Sequence, residues 1–177
     1  MGAGTTSVAT PQPTTPAEAG QNGPARERQL VVFCLSSDDY GVDIGSVREI
    51  IRLQNITRVP KTPHFVVGLT NIRGRVVPVA DLRKRFGLPA VQNLKNNRIV
   101  IVDIEGQDIG VIVDAVTEVL RVPSDCVEPP SSIITTVDSE YITGIAKLPS
   151  RLIVLLDLVK VLSAKERGEH SETSGGS

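Results

Sequence analysis

Few residues in this chain are of types that could do chemistry by themselves: His64, His170, Cys34 and Cys126. A zinc site needs three or four close ligands, and these residues are too scattered to supply them, with neither cysteine in a C-x-x-C pair. The nucleophile, phosphate-loop and metalloprotease patterns G-x-S-x-G, G-x-x-x-x-G-K-[ST] and H-E-x-x-H are also absent. We therefore expect no catalytic residue, no metal and no cofactor, and the sequence favours a binding module.

Basic side chains gather in the middle of the chain, at Arg73, Arg75, Arg83, Lys84 and Arg85. Proteins that bind single-stranded nucleic acid interleave such charges with aromatic residues on which bases stack. Here only 3% of residues are aromatic and the net charge is −1, so we expect no nucleic-acid partner. The consecutive Arg83, Lys84 and Arg85 are typical of the solvated face of a short helix.

Arg73 differs from the other basic residues because it lies beside Gly74, in a segment that reads as a tight turn. Glu49 is the lone acid between apolar neighbours in Val47-Arg48-Glu49-Ile50-Ile51, and it could hold Arg73. Two interpretations stay open and can both be true. The pair is an ordinary ion pair between neighbouring strands, or it takes part in recognition.

The elements that position these residues are predominantly β-strands. With 40% hydrophobic residues and few aromatics, the core must come from Val, Ile and Leu, which favour strands. The segment 63–86 predicts a strand, a turn at Gly74, a second strand and a short helix with Asp81 as its N-cap. Hairpins are also predicted over residues 30–44 and 98–114.

The pattern of residues predicts an internal duplication. Gly41 aligns with Gly110, Val47 with Val116, and the register continues to further pairs, Glu49 with Glu118, Ile50 with Val119, Arg75 with Arg151 and Asp81 with Asp157. Thr70-Asn71-Ile72 resembles Thr143-Gly144-Ile145, which requires a short shift at residues 147–150. A repeat of this length predicts two small β-barrels, at 29–96 and 97–164, with strand exchange between them left open.

Both ends of the chain differ in composition from the region between them. Residues 1–28 and 165–177 have almost no large apolar side chains, so we predict disordered tails. No apolar run approaches the ~20 residues that a membrane-spanning helix needs, so we expect no direct membrane insertion. Two cysteines in unrelated contexts favour a reduced, cytoplasmic setting.

Several motifs together resemble the CheW family, the coupling proteins of bacterial chemotaxis arrays. They are Tyr40-Gly41-Val42-Asp43-Ile44, the block Pro63-x-Phe65-Val66-x-Gly68 with Asn71-Ile72-Arg73-Gly74, and Val77-Pro78-Val79-x-Asp81-Leu82. The resemblance covers residues 29–163. It implies a mainly β fold with two packed SH3-like five-stranded β-barrels and short helices.

The same resemblance implies a non-enzymatic adaptor. Family members dock on the regulatory domain of the histidine kinase CheA and take the tip of a chemoreceptor's helical hairpin in a groove between the barrels. It therefore implies a cytoplasmic protein that is recruited to membrane-associated receptor arrays. Two alternatives remain: a CheW-like adaptor for another receptor–kinase pathway such as surface motility, and a small enzyme with an active site between the barrels, for which the sequence supplies no cluster of ionisable groups.

Residue by residue, the resemblance assigns partner binding to Val47, Glu49, Gly68, Arg73 and Gly74. It also places Val116 and Val119 on an apolar face near the receptor groove. Some relatives carry an Arg and a Phe in the loop before the penultimate strand, whereas residues 127–134 of this chain read VEPPSSII. The secondary contact with the kinase would therefore have a different chemistry here.

Overall fold

The computed structural model describes residues 26–89, 95–130 and 140–163. Within these residues the fold is mainly β, as the sequence predicts, with short α-helices at Leu82–Arg85 (α1) and Leu158–Ser163 (α2). The strands are β1 (Glu27–Leu35), β2 (Asp38–Asp43), β3 (Val47–Arg52), β4 (Val66–Ile72), β5 (Arg75–Asp81), β6 (Arg98–Ile104), β7 (Gln107–Val113), β8 (Ala115–Pro123), β9 (Val127–Glu128), β10 (Ile142–Lys147) and β11 (Leu152–Leu156).

The strands form two sheets that combine segments from distant parts of the chain. The six-stranded sheet has the order β8-β1-β2-β11-β10-β9, and the five-stranded sheet has the order β3-β6-β7-β5-β4. One sheet thus has the predicted five strands, and the other gains the two-residue β9. Each sheet contains strands from both sides of residue 96, so the strand exchange left open by the sequence occurs.

The exchange between the sheets is reciprocal. Strand β5 runs parallel to β7 with Val79 opposite Gly110, and β11 runs parallel to β2 with Leu155 opposite Gly41. The edge strands β3 and β8 likewise cross over, to pair with β6 and β1. Each half of the repeat therefore donates the same strands to the other half.

The N-terminal strand begins earlier than composition predicts. Glu27 and Arg28 pair with Pro123 and Val122 of β8, so they belong to β1 and not to a disordered tail ending at residue 28. Composition did not predict strand at these two residues because their side chains are polar, whereas the hydrogen bonds that pair the strands come from the backbone. Residues 1–25 and 164–177, which include most of both predicted tails, lie outside the described residues.

Each sheet curls toward a barrel without a continuous ladder around it in the described residues. In the five-stranded sheet, an isolated bridge from Thr57 to Leu69 joins the segment after β3 to the other edge strand, β4. In the six-stranded sheet, a single 3-10 turn at Ser124–Cys126 carries the chain from β8 to β9 at the opposite edge. The barrels are therefore SH3-like but open.

Alternation along the strands produces three apolar cores. On β1, Leu30 and Val32 face the interior of the six-stranded barrel, whereas Val31 and Phe33 face the other sheet. We call the core between the sheets the inter-barrel core, and its further members include Val42, Leu82, Val100, Val102, Val111, Val113, Leu158 and Val161. The interior of the five-stranded barrel contains Ile72, Val77, Val79, Ile99, Ile101 and Ile112.

The structure corrects the predicted shift in the repeat. Gly68 faces Val79 and Gly144 faces Leu155, and each glycine lies at a bulge in its strand. Gly144 therefore corresponds to Gly68 and not to Asn71, and no shift is needed before Arg151. The bulges, which local sequence similarity did not reveal, fix the register.

Candidate functional site

The predicted partner of Glu49 lies in the turn between β4 and β5. Arg73 and Gly74 form this two-residue turn, with φ angles of 51° and 85°. Positive φ at both positions is characteristic of a type I′ hairpin turn, which matches the twist of the flanking strands. The Gly74 N–H donates to Asn71 Oδ1 at 2.9 Å, which braces the turn.

Glu49 and Arg73 form the ion pair that the sequence suggested. Arg73 NH1 donates to Oε2 at 3.1 Å, and NH2 lies 3.0 Å from Oε1, so the contact is bidentate. The Glu49 side chain is 28% exposed, whereas that of Arg73 is 79% exposed. Glu49 thus fixes the direction of a guanidinium that remains largely accessible from solvent.

A shallow depression surrounds this pair at the rim of the five-stranded barrel. It has a volume of about 310 Å³ and joins β3, the segment after it, and the β4–β5 turn. Its lining residues are Glu49, Ile51, Arg52, Leu53, Gln54, Asn71, Ile72 and Arg73. Sequence positions far apart on β3 and the hairpin therefore contribute to one surface.

Val47 and Val116, which the sequence assigned to partner contacts, are equivalent in the repeat and in the structure. Both are half-buried and pack against the inter-barrel core. Val119 lies on the same face of β8 as Val116, since each is opposite a β1 residue of that core, but its side chain is 53% exposed. Its repeat mate Ile50 is 38% exposed on β3. Each edge strand thus presents an apolar strip that runs from the core to solvent.

Gly68 is enclosed by backbone. A Cβ added there would overlap the carbonyl oxygen of Thr57, because β4 approaches the segment after β3 at this point. The Thr57 N–H donates to Leu69 O at 2.7 Å and the Leu69 N–H donates back to Thr57 O at 2.8 Å. Glycine at this position therefore allows the barrel to curl.

The six-stranded barrel arranges its charges differently. Arg151 contacts both Glu118 and Asp39, and its hydrogen bond with Glu118 raises the pKa of Arg151 above the ordinary arginine value. Glu118 is the repeat mate of Glu49. The mate of Arg151 is Arg75, which instead contacts Asp108. Asp108 and its neighbour Asp103 on β6 both also bind Arg48, at 2.9 Å each.

Arg83 is not the solvated helix residue that the sequence predicted. Its Nε donates to Asp114 Oδ1 at 2.6 Å and NH1 donates to Pro89 O at 2.5 Å, and its side chain is only 13% exposed. Asp114 Oδ2 also accepts from the Ser36 N–H at 2.7 Å. The hydrogen bond with Asp114 raises the pKa of Arg83. One signal for this pair is visible in the repeat, because both residues are charged here whereas their repeat mates, Val159 and Gly45, are uncharged.

Arg85 is also embedded in the fold. Its guanidinium lies over the rings of Phe65 and Tyr141, 5.3 and 5.0 Å from their centroids, and its Nε donates to Val161 O at 2.8 Å. Cation–π contacts of this kind stabilise a charge within an apolar setting. Of the three consecutive basic residues, the helix therefore exposes only Lys84 fully.

The described residues offer no constellation for catalysis or metal binding. Among them no group of three or more His, Cys, Asp or Glu side chains could hold a metal ion. Both cysteines are free, and burial, followed by the charges of Asp114 and Asp39, raises the pKa of Cys34. A raised pKa lowers the thiolate fraction at neutral pH, which makes this thiol a poor nucleophile. No helix in the described ranges is long and apolar enough to cross a membrane.

The described residues thus form two curled β-sheets whose rims carry charged and apolar side chains. Residues 29–166 match the model of the CheW-like domain, so the chain belongs to the CheW-like family. It is similar to the chemotaxis protein CheW of Klebsiella aerogenes, with 34% identity over 78% of this chain and 84% of the relative. The chemotaxis protein CheW of Treponema pallidum is 33% identical over the same shares.

A solved structure supports the fold as well as the family. The scaffolding protein TtCheW from Thermoanaerobacter tengcongensis superposes with a TM-score of 0.72 and is 41% identical. The match covers 77% of this chain and 92% of the other. The mainly β, two-sheet architecture is therefore that of a CheW structure.

Proposed function

We propose that this chain is a non-enzymatic adaptor of bacterial chemotaxis that couples chemoreceptors to the histidine kinase CheA. Its relatives are named chemotaxis proteins, and its structural neighbour is described as a scaffolding protein. In this proposal the protein is cytoplasmic and reaches the membrane only through receptor arrays. The receptor contributes the tip of its helical hairpin, and the kinase contributes its regulatory domain.

The observation that carries the proposal is the exposed but fixed guanidinium of Arg73. Among the described residues of the six-stranded barrel, Arg151 binds Glu118, and the position equivalent to Arg73 is Pro149. The six-stranded barrel therefore forms without a charged side chain at this position of its β10–β11 turn. Arg73 adds a largely exposed cation, which Glu49 pre-orients, and pre-orientation reduces the entropy lost on binding a partner.

The apolar strips on the two edge strands β3 and β8 fit a helical partner. Val47 and Ile50 on β3, and Val116 and Val119 on β8, lead from the inter-barrel core to the surface. An amphipathic helix binds such a surface through its apolar face. We propose that these four valine and isoleucine side chains, with Glu49 and Arg73, form the receptor surface.

A separate apolar residue on each barrel suits the kinase contact. Val76 is 67% exposed on β5, and its repeat mate Leu152 is 58% exposed on β11. The kinase's regulatory domain shares the CheW fold according to the family resemblance, so a contact between like barrels can use such residues. We propose Val76 as the kinase contact because it adjoins the Arg73–Gly74 turn.

The test compares Glu49→Lys, Arg73→Glu and the double charge swap for binding to receptor and to the kinase regulatory domain separately. The exposed pair contributes only about 0–1 kcal/mol to folding, so each single variant should stay folded. We expect each single variant to lose tenfold or more in receptor affinity. If Arg73 contacts the receptor directly, the double swap restores the thermal midpoint but not receptor binding.

Lys147→Glu provides a matched control. Lys147 pairs with Glu128 at 3.2 Å on the other barrel, and both side chains are more than half exposed. This variant reverses one charge of a similar pair that is not part of the proposed surface, so it should bind like the wild type. Single variants at Glu49 and Arg73 that bind both partners normally would refute the role of this surface and leave only an ion pair.

A further inference from the structure

A groove opens at one end of the inter-barrel core, between β2, β6 and α2. It has a volume of about 240 Å³, below the range of sites for drug-sized ligands, so its size suits a single side chain. Its floor is apolar, with Leu30, Val42, Ile104 and Leu158 among the lining residues. Its charged lining consists of Arg28, Asp43, Asp103 and Asp157.

The repeat places an equivalent site at the other end of the core, where the chain itself fills it. There the side chain of Arg83 bonds to Asp114, beside Cys34, the repeat mate of Asp103. The N-cap Asp81 also acts on Arg83 and raises its pKa, although less than Asp114 does. At this position the fold therefore accommodates a guanidinium that is bonded to a carboxylate.

Two substitutions within the repeat explain why the groove is open. Val159 replaces the arginine, and Gly45 replaces the aspartate that holds it. Val159 lines the groove with a short apolar side chain, and no atom lies within 4 Å of a Cβ built on Gly45. The groove therefore lacks both the cation and the aspartate that occupy the equivalent position in the other half.

The carboxylates around the groove retain capacity for a further donor. Asp157 Oδ1 accepts from the Lys160 N–H at 3.2 Å as the N-cap of α2, which is the role that Asp81 has for α1. Asp43 contacts Arg28 at 3.0 Å, and Asp103 contacts Arg48. Arg28 and Arg48 thus pair with two of the three aspartates that line the groove, and the described residues show no ion pair for the third, Asp157.

We propose that this groove binds an arginine side chain of a protein partner, which takes the place that Arg83 occupies in the other half. The apolar floor contacts the methylene groups, and the guanidinium donates to Asp157 and Asp103. Arginine suits the site better than lysine because its planar head can donate to two carboxylates at once. The residues that line this groove do not include Glu49 or Arg73, so the two proposals can be tested with different variants.

The test is an NMR titration of the full chain with N-acetyl-arginine amide. We expect shifts at the amides of residues 43–46 and 157–159, and none there with the citrulline analogue, which has the same shape but no charge. Asp157→Asn, which keeps the helix cap, and Asp103→Asn should each weaken binding at least threefold. Asp125→Asn removes a carboxylate outside the groove and serves as the control.

A variant that fills the groove tests directly whether the bound arginine takes the place that Arg83 occupies in the other half. Val159→Arg combined with Gly45→Asp rebuilds the Arg83–Asp114 pair in the other half. It should remain folded and lose at least tenfold in affinity for the probe. Equal shifts with citrulline, or unchanged affinity in the filled variant, would overturn the proposal. The proposal would also be overturned if the probe bound only after Lys165→Gln and Arg167→Gln. That result would mean that a basic side chain of the chain itself occupies the groove.

Discussion

The two barrels share one backbone plan but hold their charges differently. In the six-stranded barrel, Arg151 binds both Glu118 and Asp39. In the five-stranded barrel, Arg73 binds Glu49 while Arg75 binds Asp108. The six-stranded barrel thus pairs these carboxylates with one arginine where the five-stranded barrel uses two, and one of those two lies at an exposed turn.

The ends of the inter-barrel core differ in the same way. At one end Arg83 and Asp114 bridge α1, the β7–β8 junction and the β1–β2 turn. At the other end the equivalent residues are Val159 and Gly45, and a groove remains. The two halves of the repeat thus share a backbone plan but differ in charge at equivalent positions. The surfaces that we propose as functional lie where the two halves differ.

The largest difference between the barrels should appear at the equivalent bulge glycines. In Gly68→Ala the new methyl group overlaps the backbone of Thr57, and φ is positive. In Gly144→Ala it lies 2.9 Å from Val127 Cγ1 and 3.0 Å from Glu128 O. We expect losses of about 3 and about 1 kcal/mol in the free energy of unfolding, measured by urea denaturation. Equal losses would show that the two bulges tolerate an added methyl group equally well, which would contradict the expected difference.

Breaking the ion pair at the filled end of the core should have the next largest effect. Asp114→Ala leaves Arg83 without its carboxylate, and because both side chains retain slight exposure we expect a loss of about 2 kcal/mol. Gly45→Ala is the matched variant at the open end and should change the free energy of unfolding by less than about 0.5 kcal/mol. Thermal and urea unfolding of both variants would measure this, and a loss of similar size in Gly45→Ala would contradict the asymmetry.

The smallest effect concerns the arginines at the barrel rims. Arg151→Ala removes the partner of two carboxylates, and we expect a loss of about 1 kcal/mol in the free energy of unfolding. Arg73→Ala removes a side chain that is 79% exposed, so the loss should be below about 0.5 kcal/mol. Urea unfolding of both variants checks the order. A larger loss in Arg73→Ala would mean that this arginine is primarily structural.

Much of the local structure could be predicted from the sequence. The hairpins, the strand at 98–104 and the N-cap Asp81 were all visible, because alternation, turn glycines and capping residues act over a few positions. The duplication and the Glu49–Arg73 pair were also predictable. The family motifs around Asn71-Ile72-Arg73-Gly74 identified the fold, which the comparisons confirmed.

Other features required the tertiary structure. The sequence predicted solvent exposure for Arg83 and Arg85, yet one binds Asp114 and the other packs over Phe65 and Tyr141. A run of basic residues within a short helix gives no indication of which distant carboxylate or aromatic ring each side chain will contact. The correct repeat register also depended on bulges that appear only when strands pair.

Short-range patterns and motifs were enough to predict the three hairpins, the repeat and the family, but they left residues 47–52 ambiguous between helix and strand. Packing of the whole chain sets which strands share a sheet, which end of the inter-barrel core holds an ion pair and which end stays open. These outcomes depend on pairings between residues far apart in the chain, such as Val79 with Gly110 and Arg83 with Asp114. The alternation of apolar and polar side chains indicates that a segment is a strand that must pair with another, but only the packing of the whole chain selects its partner.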